Sequence, residues 1–325
     1  MAGTQKGLIF ALLLNGQGGA KPLTWEEVDL WKPADGQLWL HFEYNHASVK
    51  NWLLQKSGLD RVSVSAMTSN ESRPRSVVSA QGLLLFVRAV NLDPGQEPED
   101  MVSLRLFLDK NRLITTRRRR LLSVHDVRAE LEAERGAKNV MDLLLRINDR
   151  IMDRIGDVLD QLDEKIDELE EQVIKAESRL LRTPLLESRR EAILLRRYIA
   201  PQREAFYRLY IEETPWLDAT ARLHLREITD RSIRYIEDLD SVRDRAAIVQ
   251  EELMSRISEQ MDKRMLVLSL AAVIFLPLSF VTGLLGINVP GIPGANYKYA
   301  FWIVCALLTG VSFLQLVFFR KKGWI

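Results

Sequence analysis

The chain of 325 residues has one cysteine, Cys305, so it cannot form an internal disulfide. Its four histidines, His41, His46, His125 and His224, are scattered, and none stands beside a cysteine at zinc-site spacing. His41 and His46 are five apart and read as surface or half-buried residues rather than metal ligands. No phosphate loop, dinucleotide glycine pattern or nucleophile constellation is present, so the chain reads as no enzyme and calls for no cofactor. An excess of one charge is missing too. Lys and Arg number 45 against 44 Asp and Glu, which implies no nucleic-acid partner. The basic run Arg117–Arg120 lacks interleaved aromatics, so it reads as a solvated strand end.

Charge itself is absent from long stretches near the C-terminus. From Met265 to Tyr297 no residue is charged, and Tyr299–Phe319 is a second uncharged run of 21 residues. Met265–Gly286 alone is 22 residues. As a helix that is about 33 Å, enough to cross roughly 30 Å of hydrocarbon. Asn288, Pro290, Gly291, Pro293 and Gly294 separate the runs, which gives a membrane hairpin. Lys263 and Arg264 precede the first span, and Arg320, Lys321 and Lys322 follow the second. The connecting loop has only Lys298. Both termini are therefore expected in the cytoplasm. Tyr297, Tyr299, Trp302 and Trp324 suit interfacial aromatic belts.

Residues 1–125 read as a mixed α/β domain on the cytoplasmic side. Strands are expected at Leu8–Leu14, Leu38–Tyr44, Leu83–Val90, Val102–Leu108 and Leu113–Thr116, the last two joined by an Asp109-Lys110-Asn111 turn. Leu8–Leu14 also has the look of a short signal peptide. The strand reading fits the cytoplasmic N-terminus better. Residues 126–215 read as a helical hairpin. Ile147, Ile151, Ile155, Val158, Leu162, Ile166, Leu169 and Val173 follow 3–4 spacing on one face. Thr183-Pro184 and Thr214-Pro215 mark helix starts. Leu217–Leu276 contains neither Gly nor Pro, so a stalk helix over 216–264 can continue into the first span, 265–286. A helix of that length needs partners, which implies an oligomer. A loop at 287–298, a second span at 299–319 and a basic tail at 320–325 complete the chain.

A 3–4 repeat along the long helix picks out Glu251, Ser255, Ser258, Asp262, Met265, Ser269, Ala272, Leu276, Ser279, Gly283 and Gly286. Within the span this stripe is small or polar apart from Met265 and Leu276, and bulky apolar residues flank it. Two readings stand on these residues. Small residues allow close helix packing. Alternatively, the face lines an aqueous axis in a symmetric ring, where Asp262 and Glu251 become rings of acids that concentrate or bind cations. Met265 and Leu276 would then be apolar rings able to close by dewetting. Pro277 leaves the Val273 carbonyl without its helical donor, so a kink or a water-facing carbonyl is expected.

The first span ends Phe275-Leu276-Pro277-Leu278-Ser279-Phe280-Val281-Thr282-Gly283-Leu284-Leu285-Gly286-Ile287-Asn288. With two C-terminal spans, a short loop and an Arg-Lys-Lys-Gly-Trp tail, this resembles the CorA superfamily of divalent-cation channels, whose signature there is Gly-Met-Asn. In sequence the resemblance covers about residues 240–325, and elsewhere it is one of architecture. Ile287 replaces the usual methionine, and Gly294 stands where magnesium-type members carry an acid. Both departures are similar to the ZntB branch, the zinc transporters of bacterial inner membranes.

The resemblance implies a funnel-shaped homopentamer in the inner membrane that carries zinc, with coupling to protons. It implies an outer entrance of Gly286, Ile287 and Asn288. It also places Met265, Leu268, Leu276, Ser279 and Gly283 where the family lines or narrows its pore. Asparagine suits outer-sphere contact with a hydrated ion better than stripping it. A magnesium, cobalt or nickel channel is the runner-up. A scaffold or sensor without a pore is the alternative from another class.

Overall fold

The computed structural model describes residues 7–70, 73–175, 179–212, 217–287, 292, 294 and 297–323. It divides into two compact units, 1–251 and 252–325.

The first unit is built on a seven-stranded sheet. Its strands are β1 (Leu8–Leu14), β2 (Ala20–Pro22), β3 (Leu38–Glu43), β4 (Arg75–Ser79), β5 (Gly82–Ala89), β6 (Val102–Leu108) and β7 (Arg112–Arg117). They lie in the order β2-β1-β3-β7-β6-β5-β4, with only β3 and β7 parallel. The expected strands are present, and the Leu8–Leu14 run pairs with both β2 and β3. Turn chemistry sets the hairpins. Asn15 Oδ1 accepts from the amides of Gln17 and Gly19 at 2.8 and 2.9 Å between β1 and β2. Asp109 Oδ1 accepts from Asn111 and Arg112, each at 2.9 Å, between β6 and β7. Gly82, at φ +153, opens β5 so close to β6 that a Cβ would stand 2.2 Å from the Leu108 carbonyl oxygen.

The short β2 and β4 strands add the two edges, which the apolar pattern does not mark. Three helices between the strands are also additions: α1 (Trp25–Leu30), α2 (Ala47–Gln55) and α3 (Arg61–Thr68). They cover one face of the sheet, where Val28, Val49, Trp52, Leu53, Val64 and Met67 pack with Leu40, Phe42, Phe86 and Phe107. Helices α4 (Leu122–Glu132), α5 (Val140–Lys175) and α6 (Arg182–Ile211) follow. The opposite face meets α6, whose buried Gln202 accepts from the Arg88 amide at 2.7 Å.

The eight apolar positions expected on one face of α5 are all buried. Helix α6 starts at Arg182 after a 3-10 turn, with no side-chain cap, so Thr183 is not its cap. Thr214 and Pro215 lie outside the described residues. Helix α7 (Ala219–Leu285) follows Asp218, whose Oδ1 accepts from the Ala221 amide at 2.7 Å. It is 67 residues long without a break. In its first part Leu225, Ile228, Leu239 and Val242 are buried, and Arg231 meets Asp153 of α5 at 2.7 Å.

The second unit holds the rest of α7 and α8 (Ala300–Lys321). Both helices are long and apolar enough to cross a membrane.

Candidate cation pathway

Within the second unit, exposure divides the first apolar span into two sides. Leu270 is buried, and Ala271, Ile274, Leu278 and Val281 are half-buried. Met265, Ser269, Ala272, Leu276, Ser279 and Gly283 are all exposed. At about 100° per residue the row 270, 274, 278, 281 lies opposite the row 265, 269, 272, 276, 279, 283. The chain therefore packs its own span along one narrow side and leaves the rest uncovered, the small and polar stripe together with bulky Val267, Leu268, Phe275 and Phe280. Leu268, offset from that stripe, is exposed as well.

The end of α7 is closed by its own backbone. The Gly286 amide donates to the Thr282 carbonyl at 2.9 Å and to that of Gly283 at 3.2 Å. A Cβ on Gly286 would stand 3.0 Å from the Thr282 oxygen, so glycine suits this last turn. Ile287 follows, exposed. Asn288, the residue expected to face the ion, lies outside the described residues, as does Trp324. Gly294 is exposed at φ +83. Tyr297, Tyr299 and Trp302 are exposed near the start of α8, where an aromatic belt is expected.

The acids expected beneath the span are not gathered within one chain. Glu251 and Asp262 are both exposed. They stand eleven residues apart in sequence, Glu251 in the first unit and Asp262 in the second. Neither makes an ion pair with a described residue. Among the described residues no three His, Cys, Asp or Glu side chains could hold a metal ion together.

The histidines serve packing and pairing. His41 is fully buried, its Nδ1 2.7 Å from Thr115 Oγ1 and its ring stacked on Phe10. Burial, with Arg117, His125 and Arg128 nearby, pushes its pKa well below the usual histidine value. His224 Nε2 lies 2.6 Å from Asp149 Oδ2. Burial pushes the Asp149 carboxyl up, against the opposing pull of His224 and Arg231. His46 sits 3.9 Å from Glu43. Arg117 ends β7 half-buried, and Arg119 reaches Asp100 at 2.5 Å.

One polar residue of the spans escapes pattern reading. Gln315 of α8 donates from Nε2 to the Val273 carbonyl at 3.5 Å. Its one sequence signal is that it is the sole carboxamide within the uncharged spans Met265–Gly286 and Tyr299–Phe319.

The family model described as "CorA-like Mg2+ transporter protein" matches residues 34–321, nearly the whole chain. The chain belongs to the CorA family of divalent-cation transporters. Two relatives agree over their full lengths. The divalent cation transporter CmaX of Pseudomonas aeruginosa is 36% identical over 330 residues, which covers 100% of this chain and 98% of that one. The zinc transport protein ZntB of Klebsiella pneumoniae is 33% identical over 318 residues, covering 98% and 96%. The structure of full-length CmaX superposes with a TM-score of 0.86 at 35% identity, covering all of both chains. This CorA-family protein thus combines a mixed α+β N-terminal region, long helices and two C-terminal membrane-spanning helices.

Proposed function

We propose that this CorA-family protein forms a homopentamer that carries zinc through a central pore lined by α7. The observation that carries the reading is the uncovered stripe Met265–Ser269–Ala272–Leu276–Ser279–Gly283, opposite the side that the chain packs itself. A symmetric ring places one such face per protomer around a common axis. Serine hydroxyls and backbone then line the path, Met265 and Leu276 form its apolar constrictions, and Asp262 and Glu251 ring its inner end. Gly286, Ile287 and Asn288 form the outer entrance, and the cation keeps most of its water there.

Zinc is supported by the ZntB relative and by Ile287 and Gly294, which depart from the magnesium-type pattern. The second reading is a broader divalent range that includes magnesium, cobalt or nickel. It is supported by the matched family model and by the name of the Pseudomonas relative. The positive flanks Lys263-Arg264 and Arg320-Lys321-Lys322 support an inner-membrane location with both termini in the cytoplasm. Proton coupling belongs to the same proposal.

Purified protein in liposomes tests the reading. Zinc flux well above that of empty vesicles is expected, and competition by magnesium, cobalt and nickel ranks the cargo. Absence of flux from a folded oligomer removes the proposal. Asn288→Ala is expected to lower flux at least tenfold with assembly intact, because the carboxamide at the mouth is lost.

A further inference from the structure

Pro277 deletes the amide proton that would serve the Val273 carbonyl. Inside hydrocarbon no water replaces it, so another donor must come from the protein. The hydroxyls of the two spans do not supply one. Thr282 donates to Leu278 at 2.9 Å, Thr309 to Cys305 at 2.8 Å and Ser312 to Leu308 at 2.9 Å, each within its own helix. Gln315 differs, because its Nε2 crosses from α8 to the Val273 oxygen, 3.5 Å away. Its own Oε1 is buried and has no hydrogen-bond partner among the described residues. Turning the amide over would set oxygen against oxygen, so the Val273 carbonyl decides how Gln315 is oriented.

The contact lies at the critical point of the proposed pore. Val273 is one residue beyond Ala272 of the stripe, and Leu276, the outer of the two apolar rings, lies between Val273 and Pro277. A proline in a helix permits a bend, and what holds the freed carbonyl sets how far that bend goes.

We infer that Gln315 is a positioning residue for transport: its amide replaces the hydrogen bond that Pro277 removes and so holds the first span in the path that places Leu276 at the axis. The inference rests on the pore reading above. It assigns the second span a part in setting the constriction, beyond anchoring the first.

A double-mutant cycle tests it. Zinc flux into proteoliposomes and the melting temperature of the detergent-solubilised oligomer are measured for the native protein, Gln315→Met, Pro277→Ala and the double variant. Methionine keeps the length of the side chain and removes the donor. Gln315→Met is expected to cut the maximal flux roughly threefold to tenfold. The half-saturating zinc concentration stays unchanged, because the entrance is untouched. Pro277→Ala restores the backbone donor, so Gln315→Met has no further effect on flux or melting temperature in that background. If Pro277→Ala itself stops flux, melting carries the cycle, and Gln315→Met must lower the melting temperature only where Pro277 is present.

Equal losses in both backgrounds, or no loss in the native sequence, overturn the inference. Native flux with an additive cycle removes the role of Gln315 and leaves the pore reading standing. No native flux removes the pore reading and the positioning role with it.

Discussion

Burial holds His41 uncharged. Its ring lies in the core between Phe10 and Thr115, and the nearby charged groups Arg117 and Arg128 oppose a further positive charge. In the unfolded chain the same side chain takes up a proton below about pH 6.5. The unfolded state then binds more protons than the folded one, so stability falls as pH drops through that point. His41→Gln is expected to flatten the decline of melting temperature between about pH 7 and pH 5. Some slope remains from His125, whose pKa is also lowered by burial and by its arginine neighbours. An unchanged slope would show that His41 is not the group responsible. Composition and spacing place His41 at the surface or half-buried because a lone polar residue in a strand ordinarily reaches water. It is buried because β3 lies inside the sheet between β1 and β7, with helices on the sheet's faces.

At the scale of elements, spacing was most informative where one face had to be apolar. The α5 stripe Ile147–Val173 was legible because a 36-residue helix repeats its pattern many times. Helices α1 to α3 were not, since six to nine residues give too few repeats, although Thr24 and Glu27 form a capping box at the start of α1. The membrane stripe of α7 was legible as a pattern, but its use was not. Gly283 separates the two uses. A Cβ there meets nothing within 4 Å among the described residues of its own chain. Gly283→Leu should therefore leave each chain folded. If the stripe lines a path, the oligomer forms and zinc flux falls at least tenfold, which size-exclusion chromatography and liposome uptake would show. If the stripe packs helices together, the oligomer itself is lost.

For the whole molecule the decisive quantity is the number of acids brought to one axis. A single Asp262 is an exposed carboxylate with no ion-pair partner among the described residues, and it does little by itself. Several copies around an axis raise the local cation concentration, and salt weakens the effect because the Debye length shrinks from about 30 Å at 0.01 M to about 10 Å at 0.1 M. Asp262→Asn is expected to slow zinc uptake several-fold at low ionic strength and much less at high ionic strength. A loss independent of salt would point to direct coordination rather than attraction. One chain does not reveal this, because neither Glu251 nor Asp262 has an ion-pair partner among the described residues.

The linear order of residues determined what must lie in hydrocarbon, where the long helix could run unbroken and which family the chain resembles. Those properties depend on local composition and on the absence of charge, proline or glycine over a run. Tertiary structure decided which side of the first span stays uncovered, that His41 is core, that Asp218 accepts from the first turn of the long helix, and that Gln315 meets the carbonyl beneath Pro277. Each of these depends on what another segment, distant in sequence or differently folded, places against the residue, and spacing along one helix or strand carries no record of that.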